Sequence, residues 1–430
     1  MASSRSQKAI FVLIVASAFA LAGFGCRQPA PVKQTTTTSI VVWGLWQDSD
    51  TMGPIVRAFQ DQTGIAVEYK KIASVATYEQ ELVQALAEGR GPDVFVINNT
   101  WVEAKRGLMS PAPADIINER DLKNEFPDVV SKDLVRNGYV YALPTSIDTL
   151  GLYYNTDLFN NAGIAQPPKT WEEFQKDVVT LTKVSRLGVI GQSAAAIGTA
   201  SNINRAPDLL QMLMLQSGLS IIATDQSGGS RVDIANDIGS RALAFYTDFS
   251  NKAKQVYTWD TTQDYSIDAF AEGKTAMLFN YAYQIPTIRA KNQRLQFAVA
   301  PVPQIGGNAA EVTFASYWPF TVSASSRSPQ AAWQFVRFLT GNSASEALNK
   351  AQALPPARRD AIPNYVSDPI MGVFAEQTLK ASSWPRVDIV ATDGIFNAMI
   401  DGVATGGVPI GDALRQAQDQ LQRIIPSNAK

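Results

Sequence analysis

Apolar strand segments alternate with amphipathic helices just after residue 38. The sequence predicts strands at 39–44, 65–69 and 93–97, and helices between them from Pro54 to Gly64 and over 78–88. This βαβαβ order is typical of an α/β fold, in which a parallel sheet carries helices on both faces. Because ligands bind beyond the carboxyl ends of such strands, the segments 43–47 and 98–101 are candidates for a binding site.

The first 26 residues have the pattern of an export signal that ends at Cys26, the single cysteine of the chain. Arg5 and Lys8 precede an uncharged apolar run over 9–25. A basic start, an apolar run and a small-residue exit predict a secretory signal, and the cysteine predicts a lipoprotein anchored through an acylated Cys26. Residues 27–38 are then a flexible tether. An uncleaved anchor helix is the alternative, since the run is near the lower length limit of a membrane span. Both interpretations predict an extracytoplasmic, membrane-attached domain.

Composition excludes several classes of function. The chain has no histidine, so triads that need an imidazole and histidine-ligated metal sites are excluded. A net charge of −2 gives no argument for nucleic acid. No phosphate-binding glycine motif occurs, and we predict neither a cofactor nor a metal. Carboxylates remain available, so a cell-surface glycoside hydrolase stays open as an alternative, with Asp148 and Asp264 as its candidate residues.

Six short motifs follow one another between residues 59 and 339. They are FQDQTGIAV (59–67), LAEG with GPDV (86–94), YALP with LYYN (141–155), PPKTWEEF (167–174), FAEGKTAM (270–277) and AWQFVRFL (332–339). With these motifs in this order, the chain resembles the family 1 extracellular solute-binding proteins, which are the sugar-binding components of bacterial ABC importers. The maltose- and glycerol-phosphate-binding proteins are relatives in this broad group. Most of these motif residues serve packing and chain reversal rather than ligand contact.

The resemblance implies a periplasmic-binding-protein type II-like fold, with two α/β lobes, a hinge and a central ligand cleft. Carried onto this chain, one lobe comprises 39–148 plus 303–350, and the other comprises 152–300 plus 355–430. The chain would then cross between the lobes near 148–151, near 300–304 and near 354–355. Prolines at the last two crossings suit chain reversals.

The resemblance also implies a function. The chain would capture a sugar, such as an oligosaccharide, or a polyol outside the cytoplasm and deliver it to the transmembrane subunits of an ABC permease. It would act as a monomer. It would not be an enzyme, because the ligand leaves unchanged when the lobes reopen. A receptor that signals through a partner is a further alternative to a transport function.

Aromatic, amide and charged side chains at predicted strand ends and crossings are the candidate ligand contacts, because sugars offer hydroxyls and an apolar C–H face. The strand ends predict Trp46, Gln47, Asn98, Asn99 and Trp101, whereas Trp43 is expected in the core. The resemblance implies Asp148, Asn280, Tyr281, Trp384 and Arg386, together with Tyr317 and Trp318, which replace a glycine-rich run of the family.

Structural roles are open at several of these positions. Asn98 and Asn99 could instead cap a turn, Asp148 could be a solvated hinge residue, and Arg386 could be a surface ion pair. An exposed Arg386 would also suit a phosphorylated polyol.

Overall fold

A computed structural model describes residues 38–72, 74–224, 229–307 and 309–425. Within these residues the backbone forms two five-stranded sheets and three smaller ones. None of the helices found there is long and apolar enough to cross a bilayer. The predicted signal 1–26, Cys26 and the tether up to residue 37 lie outside the described residues.

The first large sheet is built by the N-terminal segment and one later strand. Its order is β2-β1-β3-β16-β4, with β1 parallel to β2 and β3 and with β16 antiparallel to β3. The elements of the N-terminal segment are β1 (Ser39–Gly44), α1 (Ser49–Thr63), β2 (Ala66–Lys71), α2 (Val75–Ala87), β3 (Val94–Val96), α3 (Val102–Lys105), β4 (Met109–Ser110), α4 (Glu119–Glu125), α5 (Asp128–Leu134), β5 (Val135–Arg136) and β6 (Tyr139–Val140).

The second large sheet has the order β14-β8-β13-β10-β9, in which β10 and β13 are parallel and β8 is antiparallel to β13. The middle segment contains β7 (Asp148–Thr149), β8 (Gly151–Asn155), α6 (Thr156–Asn161), α7 (Trp171–Leu181), β9 (Lys183–Val184), β10 (Ile190–Ala195), α8 (Ala206–Gln216), β11 (Ile222–Thr224), β12 (Ser230–Val232), α9 (Asp237–Asp248), α10 (Ser266–Ala271), β13 (Thr275–Asn280), α11 (Ile285–Lys291) and β14 (Phe297–Ala300).

The C-terminal segment contributes to both halves of the molecule. Its elements are β15 (Thr313–Ser316), β16 (Phe320–Ser323), α12 (Pro329–Leu339), α13 (Asn342–Gln352), α14 (Met371–Gln377), β17 (Ala381–Ser382), α15 (Ile389–Ala404) and α16 (Ile410–Ile424). β16 joins the first large sheet, whereas α15 and α16 pack beside the second.

Two separate hydrophobic cores define two α/β lobes. The first core draws its buried residues from 40–147 and 315–357, with Ala381 added. The second draws them from 150–302 and 374–425, with Phe314 added. The chain therefore passes from one core to the other three times. At two of these passages β7 and β15 pair with each other, and β17 extends them to a three-stranded sheet.

The predicted βαβαβ order is confirmed, but the start of its first helix was wrong. α1 begins at Ser49 rather than at Pro54, which lies inside the helix. Pro54 is the sixth residue of this helix, beyond the first four N–H groups that lack an intrahelical acceptor, so it removes one backbone hydrogen bond of α1. Residues 139–154 have a strand-like sequence with an interruption at Pro144, which predicts extended backbone with a break. The segment breaks into β6, β7 and β8, with isolated bridges from Leu143 and Ser146 to the C-terminal segment.

Candidate functional site

The carboxyl ends of β1 and β3 and the start of β16 meet at one edge of the first sheet. They place Trp46, Trp101 and Trp318 together, with the Trp318 ring centroid 5.2 Å from Trp46 and 5.5 Å from Trp101. Trp46 is 40% exposed, Trp318 is half-buried, and Trp101 is buried. Since rings that stay accessible can stack on an apolar ligand face, Trp46 and Trp318 form the open part of this edge. We call these two residues the tryptophan pair.

The predicted amides lie behind this edge rather than on it. Asn98 accepts from the backbone N–H and the hydroxyl of Thr100, at 3.1 and 2.7 Å. Asn99 donates to the Asp133 carboxylate at 2.8 Å, and both asparagines are at most 2% exposed. Gln47 is 5% exposed, and its backbone carbonyl accepts from the Tyr69 hydroxyl. The two asparagine side chains therefore shape the loops that carry the tryptophan pair, whereas Gln47 contributes through its backbone.

Asp133 gathers three segments of the chain beneath the same edge. Besides Asn99, its carboxylate accepts from the Tyr317 hydroxyl at 2.8 Å and the Ser383 hydroxyl at 2.5 Å. Burial raises the pKa of Asp133, while these hydrogen bonds act in the opposite direction. Tyr317, a predicted ligand residue, is thus a buried partner of this carboxylate.

Asp148 lies in β7, at the first passage between the cores. It is 4% exposed and accepts from the backbone N–H groups of Ala282 and Tyr283, at 2.9 and 3.1 Å, and from that of Thr149. Burial raises its pKa to about 7, although the three backbone donors lower it. Asp148 therefore fixes the loop after β13 to the passage between the lobes.

The carboxyl end of β13 and the loop before α8 form one edge of the second sheet. Asn280 is buried and donates to the Asn204 side chain at 3.0 Å, and the buried Tyr281 donates to Asp208 at 2.9 Å. Tyr283 is 37% exposed and stacks on Tyr281 with centroids 5.8 Å apart. Tyr283 is thus the open aromatic ring of this edge.

Arg205 holds the two tyrosines in place from a left-handed backbone conformation, with φ of 64°. Its Nε donates to the Tyr283 hydroxyl at 2.9 Å, and its guanidinium lies 5.7 and 5.6 Å from the Tyr281 and Tyr283 ring centres. A non-glycine residue rarely adopts positive φ, and where it does the surrounding structure must compensate the strain. Here the compensation comes from cation–π and hydrogen-bond contacts.

Residues 381–388, which we call the strap, contact both lobes. The Trp384 indole donates to Gln211 of the second lobe at 2.7 Å, whereas the backbone carbonyl of Arg386 accepts from Thr100 of the first at 3.3 Å. The Arg386 guanidinium is 2% exposed and pairs with Asp208 and Asp393, each at 3.3 Å. Arg386 is therefore a buried ion pair, which corrects the expectation of an exposed arginine.

A cavity of about 410 Å³ opens beside this edge of the second lobe. We call it the second-lobe cavity. Its polar lining includes Asn204, Arg205, Asp208, Tyr265, Asp393 and Asp401. Within the described ranges, no three carboxylates come together in a way that could hold a metal ion. Mixed carboxylate, guanidinium, amide and phenol groups in a concave site suit a hydroxylated organic ligand.

Sequence reasoning missed most of this lining. Arg205, Asp208 and Asp393 carry no motif of their own. The strand-end rule that pointed to Trp46 would have pointed equally to the loop after β10, where Asn204 and Arg205 lie. Asp393 lies on α15, far along the chain, and no local pattern marks it.

The family model of the bacterial extracellular solute-binding proteins matches residues 45–346. The chain belongs to this family. A probable ABC transporter-binding protein of Deinococcus radiodurans is 24% identical over 392 residues, covering 85% of this chain and 88% of the relative. A diacetylchitobiose-binding protein of Streptomyces coelicolor is 25% identical over 333 residues, covering 74% of this chain and 73% of the relative.

The solved structure of a cyclo/maltodextrin-binding protein in complex with maltotetraose has the same fold. It superposes with a TM-score of 0.74 at 22% identity, over 91% of this chain and 98% of that one. The predicted family and the two-lobe type II fold of this solute-binding protein are therefore confirmed. Nothing in these likenesses supports the glycoside hydrolase alternative.

Proposed function

We propose that this solute-binding protein captures a sugar between its two lobes and delivers it to the permease of an ABC importer. The observation that carries the proposal is that each lobe has an accessible edge with groups suited to a sugar. The first lobe offers the tryptophan pair, and the second offers the second-lobe cavity with the open Tyr283 ring. Both edges lie at the carboxyl ends of parallel strands, where ligands of α/β folds bind.

The chemistry of these edges fits a sugar. The C–H face of a pyranose ring stacks on an indole or phenol, and its hydroxyls need donors and acceptors held in fixed directions. The relatives that bind diacetylchitobiose and maltotetraose support a carbohydrate ligand. Among the predicted ligand residues, we propose that Trp46 and Trp318 contact the sugar directly. We propose that the buried ones hold these edges in place: Gln47, Asn98, Asn99, Trp101, Asp148, Asn280, Tyr281, Tyr317, Trp384 and Arg386.

A phosphorylated polyol is disfavoured by the state of Arg386. The guanidinium is 2% exposed and already faces two carboxylates, so it offers no charge to a phosphate. Arg205, which lines the second-lobe cavity, lies over two tyrosine rings, so its charge is already in contact with protein groups.

We infer that the ligand is released unaltered. Asp148 is held by three backbone N–H groups and is almost fully buried, so a substrate has no access to its carboxyl. Asp264 forms an exposed ion pair with Lys274 at 2.6 Å. A glycosidase needs two carboxyl groups on either side of one bond, and these two residues do not form such a pair.

Attachment and assembly are part of the proposal. The signal pattern of the first 26 residues supports export and lipidation at Cys26, and the likeness to an ABC transporter-binding protein supports a permease partner. We propose that the protein works as a monomer on the outer side of the membrane.

A thermal-shift panel tests the function. Mono-, di- and trisaccharides are compared with glycerol phosphates, and chromogenic glycosides are included to detect hydrolysis. We expect a saturable rise in melting temperature with at least one sugar and no release of chromophore, since a ligand that binds only the folded state stabilises it. Stabilisation by glycerol phosphates alone, or turnover of a glycoside, would overturn the proposal.

A further inference from the structure

The second-lobe cavity is lined by more negative than positive charge. Asp208, Asp393 and Asp401 border it, and Arg205 is the one cation of its lining among the described residues. Counting the buried Arg386 behind Asp208 and Asp393 still leaves the carboxylates in excess. Such a cavity repels sugar acids and sugar phosphates and attracts cations.

Two of the three carboxylates are already occupied. Asp208 is 2% exposed, accepts from the Tyr281 hydroxyl at 2.9 Å and pairs with Arg386. Asp401 accepts from the backbone N–H groups of Ala200 and Ser201 at 2.7 and 3.0 Å. Their oxygens hold the walls of the cavity together and are not free for a ligand.

Asp393 differs from both. Its side chain is 26% exposed, and its Oδ1 lies 3.3 Å from Arg386 Nη1. Its Oδ2 has no hydrogen-bond partner within the described residues. Burial and the negative charge of Asp208 raise the pKa of Asp393 to about 6, although Arg386 and Arg205 lower it, so its ionised form is only partly compensated. A ligand cation beside the open Oδ2 of Asp393 would supply the rest of the compensating charge.

Arg205 does not bind the open oxygen of Asp393. Its Nε is bound to the Tyr283 hydroxyl, its guanidinium lies over two rings, and its Nη1 is 3.9 Å from Asp208. Its bond and ring contacts are with the two tyrosines and its nearest carboxylate is Asp208, although its charge also lowers the pKa of Asp393.

We propose that the sugar ring in the second-lobe cavity carries a free amino group whose ammonium pairs with Asp393. Aminated sugars should then bind more tightly than the same sugars with a hydroxyl or an N-acetyl group at that position. This inference rests on the proposed function, because it assumes that the cavity receives part of a sugar.

Three matched sets of probes test it. Glucose, galactose and mannose are each compared with their 2-amino and 2-acetamido forms by calorimetric titration of the purified protein at pH 7.5 and pH 5. We expect at least one amino sugar to bind about tenfold more tightly than both of its counterparts at pH 7.5. The preference should shrink at pH 5, because Asp393 takes up a proton there. The titratable and charged groups around Asp393 are Asp208, Asp401, Arg205, Arg386 and Tyr265.

Asp393→Asn isolates the carboxylate charge, because the amide keeps its size. The variant should lose the preference for amino sugars and still bind the hydroxyl forms. Asp419→Asn makes the same change at an exposed position on α16 and should keep the preference. Melting curves of both variants verify that they are folded.

The outcomes separate this inference from the proposed function. Three outcomes would each overturn the inference. They are equal or tighter binding of the hydroxyl sugars, an unchanged preference in Asp393→Asn, and no binding of any of the nine probes. The proposed function is decided separately: it falls if no sugar of the thermal-shift panel stabilises the protein, if glycerol phosphates alone do so, or if a glycoside is turned over.

Discussion

At the residue scale, exposure separates the side chains that can touch a ligand from those that hold them. Trp46 and Tyr283 are 40% and 37% exposed, whereas Asn98, Tyr281 and Arg386 are at most 2% exposed. A sugar that enters the cleft therefore meets rings first. The amides and charges behind them fix where those rings point.

Replacing Trp46 with alanine removes the most exposed ring of the tryptophan pair. We expect the affinity for the sugar that gives the largest thermal shift to fall about fivefold or more, because ring stacking contributes about 1 kcal/mol beyond its buried area. Calorimetric titration measures the loss. Tyr139→Ala removes a ring that is 57% exposed on the same lobe and serves as the control. An equal loss in both variants would contradict a specific role for Trp46.

The raised pKa of Asp393 predicts a pH dependence of stability. In the folded protein its pKa is about 6, above the value of 3.8 of a free aspartate, so folding favours the protonated form. This contribution is fully present below pH 3.8 and is lost as the pH rises through 6. The free energy of unfolding of the wild type, relative to Asp393→Asn, should fall by about 1–3 kcal/mol between pH 4 and pH 7. Denaturant titrations at a series of pH values check this, and a difference that stays constant would contradict it.

At the element scale, the strap is the segment on which both lobes converge. It pairs with β15 through β17, reaches Asp133 and Thr100 in the first lobe, and reaches Gln211 and Asp208 in the second. Its buried arginine is neutralised by carboxylates of α8 and α15, so these helices and the strap are held together as one unit.

Arg386→Met tests this arrangement, since methionine fills a similar space without charge. Asp208 and Asp393 would lose their shared partner in a buried site, which costs about 3–5 kcal/mol when one member of a buried ion pair is removed. Denaturant unfolding measures the change. The matched control, Arg415→Met, breaks an exposed ion pair with Asp412 and should cost less than about 1 kcal/mol. Equal effects would show that the strap arginine is not structurally required.

Local patterns in the sequence predicted the regular elements well. The alternation over 39–97 predicted β1, β2 and β3 in their order along the chain, and the motif at 167–174 contains the capping box of Thr170 and Glu173 that opens α7. These features depend on residues a few positions apart. Residues 139–154 follow their strand-like pattern only in short pieces, because several of their pairing partners lie in the C-terminal segment.

The site was less predictable, for a physical reason. Trp46 could be found because it follows a strand closely. Asp208 and Asp393 are far apart in the sequence, and only their shared partner Arg386 brings them together in space. Burial also reversed expectations: an arginine in a polar loop segment is ordinarily a surface residue, and only tertiary contacts show that Arg386 is not.

At the scale of the whole molecule, two cores are joined by three chain passages, and β7 and β15 pair where two of these passages run side by side. Connections of this kind let lobes rotate about a few residues while each core stays packed. We infer that sugar binding draws the tryptophan pair and the second-lobe cavity together, so that the ligand's affinity for the closed form shifts the population toward it.

The most direct test is a calorimetric titration of the purified protein with the sugar that the thermal-shift panel selects, followed by mass analysis of the sugar recovered after denaturation. We predict saturable binding at one sugar per chain and recovery of the sugar with unchanged mass. Two results would contradict the account that the protein captures its ligand between two lobes and releases it intact. They are the absence of saturable binding across the panel and the recovery of cleaved or otherwise altered sugar.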